Sequence, residues 1–157
     1  MIILQGFISG LIATILFDFF NHSLNYAYNI NKPKWYLLGR YFIGYRQRRF
    51  FRVSLEEDEE EDNELLWGYI IHYIIGILYG LFYIYLNLLF FDYPSLLIAY
   101  LFGFITVLGA WCYLMPFAYN LGFFASKSDQ QFKILAQNLI GHFIFGTGLF
   151  IGFYISF

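Results

Sequence analysis

Charge is what this sequence has least of. Asp, Glu, Lys and Arg make up 13% of the chain, where a soluble domain carries about 25%. No charged residue occurs between Leu65 and Phe91, a run longer than the ~20 apolar residues that cross a bilayer. That excludes an ordinary soluble domain. A single cysteine, Cys112, excludes an internal disulfide and leaves the redox compartment unread; in an apolar run it reads as a packing thiol. Also missing are CxxC, HExxH, Walker A and GxSxG patterns, so no motif raises an enzyme. A basic face unmatched by acid is lacking too, which argues against a nucleic-acid partner. The first basic residue is Lys32; without a basic n-region or a small-x-small cleavage site, the first apolar stretch is expected to be a retained span.

What is present is apolar mass: 60% hydrophobic residues, 25% aromatic. It falls into four segments, at about 2–24, 65–91, 95–116 and 132–156. Asp92-Tyr93-Pro94 makes a tight turn between the second and third, and Met115-Pro116 is expected to end the third with a break. An open sheet would leave backbone groups unsatisfied in lipid, so the spans must be helices. The expected fold is all-α, one integral membrane bundle of four transmembrane helices, with membrane lipids as its surroundings.

The basic residues are one-sided. Lys32, Lys34, Arg40, Arg46, Arg48, Arg49 and Arg52 lie between spans one and two, and Lys127 and Lys133 between spans three and four. By the positive-inside rule both connections are cytoplasmic, and both termini and the Asp92 turn face out. Within the first connection, Lys34–Val53 interleaves aromatics with arginines, as a segment at headgroup level does, or simply as an orienting basic loop. The acidic run Glu56–Asp62 reads as a solvated, mobile tether; it lacks the Gly and Asn spacing of a calcium loop.

Small residues four apart (Gly6 and Gly10, Gly76 and Gly80, Gly148 and Gly152) mark faces where helix backbones approach closely in lipid. They predict a tight bundle, and a homodimer through a glycine-rich face is one use of them.

The unusual residues within the spans are Asp18, His22, His72, Asn138 and His142. Ionisable groups there are costly and turn to the bundle interior or a water-filled cavity. Asp18 and His22 are an i, i+4 pair on one helix face. At 1.5 Å per residue, His72 lies about 10 Å from the cytoplasmic start of span two and His142 about 15 Å from that of span four. Asn138 sits one turn nearer the cytoplasm, so all five fall in the cytoplasmic half of the bilayer and are expected to converge. Such a set suits a transition metal, axial haem ligation by two histidines, or an Asp–His proton relay. Plain interhelical hydrogen bonding accounts for it as well, and the cofactor stays open. Lys127 with Arg40 is a weaker candidate, an anion-binding rim or ordinary interface snorkelers. Thr106, at mid-span, is expected to bond its own helix backbone.

Taken together, these residues resemble a family of small prokaryotic membrane proteins catalogued as domain of unknown function 2938. The likeness covers nearly the whole chain. It rests on Ala13-Thr14 with Asp18, Gly39-Arg40, and Glu64 followed by Gly68 and His72-Tyr73. Further along it rests on Phe102-Gly103 with Thr106, Met115, Gly122 with Ala125-Ser126-Lys127, and His142 with Phe145-Gly146 and Gly148-Leu149. Three features depart from the pattern: Pro116 follows Met115 directly where a Gln-Pro is usual, Lys127 replaces an arginine, and Tyr69 replaces a Trp. The resemblance implies a four-helix protein of the bacterial inner membrane and brings no activity with it. The reading is therefore a bundle that binds or moves a small polar or cationic species. A non-catalytic scaffold or accessory subunit, and a metal- or haem-dependent membrane enzyme, are the alternatives.

Overall fold

A computed structural model describes residues 1–46 and 55–157. Every described element is helical: α1 (Ile2–Tyr28), α2 (Trp35–Arg46), α3 (Glu64–Phe90), α4 (Leu96–Gly109) and α5 (Gln131–Ser156). Four helices are long and apolar enough to cross a membrane, with α4 extended to Ala118 as one of them. Only 28–39% of the most apolar window of each is buried within the chain. Apolar residues such as Ile15, Ile74, Leu78, Leu101, Ile105 and Ile151 are exposed, as a lipid-facing surface requires. The chain is thus a helical, multi-pass membrane protein.

Contacts divide it into two compact units. The first comprises Met1–Lys32, Tyr73–Val107 and Asn138–Phe157; the second comprises Pro33–His72 and Leu108–Gln137.

In the first unit the glycine faces do what their spacing predicts. A Cβ on Gly10 would strike the Gly76 carbonyl, and one on Gly80 would strike Gly6 and Gly10, so α1 and α3 touch through main chain. Gly148 and Gly152 meet Ala13 and Ser9 in the same way, seating α5 on a neighbouring face of α1. All three faces are therefore covered within one chain. A second copy would have to meet a different face.

The α3–α4 turn is held by Asn87, which is fully buried. Its amide nitrogen donates to the Tyr93 carbonyl at 2.8 Å, and its amide oxygen accepts from the Ser95 backbone N–H at 2.9 Å. Asn87→Ala strands both groups, at about 1–3 kcal/mol for each buried polar atom left unsatisfied. The expected result is a clear drop in melting temperature of purified protein; a melt equal to wild type would show that the turn holds without it.

In the second unit α4 does not break at Pro116. It continues as a π-helix, Ala110–Ala118, with Pro116 inside it, and the Tyr119 N–H donates to the Leu114 carbonyl. The cause is local: proline has no N–H, and its ring crowds the carbonyl four residues back. Widening the turn is one of the known ways to absorb that. The connection then folds back, the Leu121 N–H donating to the Met115 carbonyl, before a 3₁₀ turn at Phe123–Ala125.

Part of the aromatic, arginine-rich segment is packed rather than laid on a surface. α2 buries Trp35, Leu37, Leu38 and Arg40 and lies directly on the start of α3. A Cβ on Gly39 would strike the Glu64 carbonyl, and one on Gly68 the Trp35 carbonyl. Tyr41 joins α2 to the π-helix, its hydroxyl 3.3 Å from that of Tyr113. Burial and that neighbouring hydroxyl both push the Tyr41 phenol above its ordinary pKa. Arg48, Arg49, Arg52 and the rest of 47–54 lie outside the described residues.

Candidate functional site

Two sets of polar side chains stand out, one in each unit. In the first, α1 and α5 run antiparallel in a register that four contacts define. The Gln5 side-chain amide donates to the Ser156 carbonyl at 3.0 Å. Ser9 then meets Gly152, Ala13 meets Gly148, and the Phe17 ring lies against Gly141. This register puts the Asp18 backbone within about one residue's rise of the height of His142, and that of His22 within the same distance of Asn138.

The His142 ring is held on several sides. Phe17 presents its ring nearly edge-on at 5.6 Å between centroids, and Phe145 lies at 6.2 Å. From α4, Thr106 Oγ1 is 2.9 Å from His142 Nδ1 and donates to the Gly103 carbonyl at 2.8 Å. Small residues permit that approach, since a Cβ on Gly103 would come within 2.6 Å of the His142 carbonyl oxygen. Thr106 thus bonds its own helix, as its sequence position implies, and a neighbouring helix too. Asp18 and Asn138 are partly buried, whereas His22 is exposed, with Lys32 Nζ 3.4 Å from its Nδ1.

The second unit contains His72, stacked on the Trp35 indole at 3.9 Å with the rings 21° from parallel. It also contains an ion pair that organises the loop between α2 and α3. Arg40, 3% exposed, grips Glu64 through two bonds, Nε to Oε2 at 2.6 Å and Nη2 to Oε1 at 2.8 Å. Its Nη1 donates to the Leu55 and Asp58 carbonyls at 2.8 and 2.9 Å. The Glu61 backbone N–H adds a third donor to the Glu64 carboxylate at 3.0 Å. The Tyr36 ring lies 5.7 Å from the guanidinium carbon. Hydrogen bonding to Glu64 raises the Arg40 pKa further above its already high value. Outside this core Lys34 pairs with Glu56, which raises the lysine pKa in turn. A polar cleft of about 320 Å³ remains here, lined by Tyr36, Arg40, Glu56, Asp58, Glu60 and Glu64.

The family model described as protein of unknown function (DUF2938) matches residues 7–156. The chain belongs to the DUF2938 family. No curated protein and no solved structure matches it.

For this DUF2938 chain, the site residues expected from sequence divide between the two units. Asp18, His22, Asn138 and His142 belong to the first, and His72 to the second. The metal reading is corrected: among the described residues, no three of His, Cys, Asp and Glu come together in a way that holds a metal ion. The anion-rim reading of Arg40 is corrected too, because its guanidinium is buried against a carboxylate and two carbonyls. Lys127 is exposed and donates to the Asn120 side-chain oxygen at 2.9 Å. Nor is the acidic run a loose tether throughout, since Leu55 is buried and the carbonyls of Leu55 and Asp58 are anchored. Sequence reasoning missed the pairing of Arg40 with Glu64 and of Trp35 with His72. The available signal was the resemblance itself, which picks out Arg40, Glu64 and His72 together.

Proposed function

We propose that this DUF2938 protein resides in the bacterial inner membrane with both termini and the Asp92 turn outside. In this reading it binds or moves a small polar or cationic species that enters from the cytoplasmic side. Asp18 and His142 are the groups that meet the species, with His22 and Asn138 one turn nearer the cytoplasm. The observation that supports this is the register of α1 against α5, in which the Asp18 backbone falls within about one residue's rise of His142. A carboxylate and an imidazole at one height suit a cation or an exchangeable proton. Membrane lipids are the surroundings. A homodimer would form through a face other than the three glycine faces.

The test uses vesicles of phosphatidylethanolamine and phosphatidylglycerol containing the protein, with radiolabelled guanidinium uptake and pyranine-reported proton flux as readouts. Wild type is expected to exceed protein-free vesicles in at least one readout. Asp18→Asn and His142→Gln are each expected to cost that flux tenfold or more. Wild-type flux at the protein-free level in both readouts would sink this reading. It would favour the second one, a scaffold or accessory subunit. The saturated Arg40–Glu64 pair and the Trp35–His72 stack support that second reading, because both are polar groups engaged in helix packing.

A further inference from the structure

The bond between Thr106 and His142 carries more than packing. A threonine hydroxyl has one proton, and here that proton goes to the Gly103 carbonyl at 2.8 Å, the usual back-bond of threonine within a helix. The oxygen facing His142 Nδ1 at 2.9 Å therefore offers a lone pair, which only an Nδ1–H can fill. From this geometry we infer that Thr106 is a positioning residue. It holds neutral His142 in the Nδ1–H tautomer and so leaves the ring's lone pair on Nε2.

Chemically, Nε2 becomes the working atom. It accepts a hydrogen bond from an N–H or O–H donor, or takes up a proton. In neither event does Nδ1 have to change partner, because the imidazolium also donates from Nδ1. Phe17 and Phe145 fix the ring plane, so the acceptor direction is set before any ligand arrives. A donor-bearing cation of the ammonium or guanidinium type fits such an acceptor. The ligand class rests on the proposed function above; the tautomer does not.

The experiment is nitrogen-15 NMR of ring-labelled histidine in the full chain in nanodiscs. The chain has three histidines, and the His142 signals are assigned by their loss in His142→Phe. Wild type is expected to show a protonated, pyrrole-like Nδ1 and an unprotonated, pyridine-like Nε2. Thr106→Ser is expected to keep that signature and Thr106→Val to lose it, with the proton moving to Nε2 or averaging between the two. A pyridine-like Nδ1 in the wild type overturns the inference, and this holds even if Thr106→Val fails to fold. An unchanged signature in folded Thr106→Val overturns it equally. Guanidinium chloride is then titrated into the wild type while the Nε2 shift is followed. The Nδ1–H signature with an Nε2 that ignores guanidinium supports Thr106 as positioning residue and counts against the proposed cargo. Guanidinium flux with a pyridine-like Nδ1 does the reverse.

Discussion

Arg40→Ala is expected to cost up to about 3–5 kcal/mol, the range for removing one partner of a fully buried ion pair, since Arg40 is buried and Glu64 partly so. The loss is not only Coulombic. Glu64 would keep a partly buried carboxylate with one backbone donor, and the Leu55 and Asp58 carbonyls would lose theirs. Arg40→Lys is expected to rescue little, because an ammonium presents no planar fork and cannot reach the carboxylate and both carbonyls at once. Arg40→Met with Glu64→Leu is the informative companion, since replacing both charges by apolar groups of similar size can be nearly neutral. Cys112, the single thiol, lies in the same unit as Arg40. Its reaction with a thiol-activated dye on heating therefore reports the loss of that unit's structure. If Arg40→Ala melted with the wild type, the clamp would be ornament and the loop would be held by something else.

Gly80→Leu is expected to abolish the folded protein. Every atom that a Cβ would meet at this position is main chain, from Gly6 and Gly10. No side-chain rotamer can relieve the clash, and α1 and α3 must part. Overpacking a well-packed core costs about 1–3 kcal/mol even where side chains can yield, so a backbone-on-backbone clash sets that as a floor. Gly80→Ala should already lower the melting temperature, and Gly80→Leu should run as aggregate on size exclusion in detergent. Gly6→Ala is the milder case, because two of the three atoms its Cβ would meet belong to the Leu81 side chain. Equal behaviour of Gly80→Leu and wild type would mean that the α1–α3 seam is not formed.

Both expectations concern features of very different visibility in the sequence. The spans were legible because charge is absent, or in the first confined to Asp18, over stretches longer than a bilayer requires, and the observed helices begin and end within a few residues of those stretches. The glycine faces were legible because close approach in lipid demands small residues at helical spacing, and Gly6, Gly10, Gly76, Gly80, Gly148 and Gly152 supply it. Heights along a helix follow from residue counting, which is why an expected depth could be written for Asp18, His22, His72, Asn138 and His142 alike. Rotation about the helix axis could not be read, because a span apolar on every side gives no stripe to orient it. So His72 facing Trp35, and Thr106 facing His142, were invisible. Arg40–Glu64 was hidden for another reason: Glu64 follows an acidic run, and nothing local says which carboxylate an arginine of α2 will choose. The π-helix was half legible, in that Pro116 forecast a disturbance but not its form.

The grip of Arg40 on Leu55 and Asp58 has a consequence for how this connection can evolve. It is a grip on main-chain oxygens, which every amino acid carries. Position 58 can therefore exchange its side chain, or lose or reverse its charge, and still be held in place, whereas position 55 must also stay apolar because Leu55 is buried. Only Arg40 and Glu64 must keep their identities. A stretch anchored in this way is free to drift in composition between relatives while its backbone course stays constant. Here it carries an acidic surface on a main chain that Arg40 holds in place.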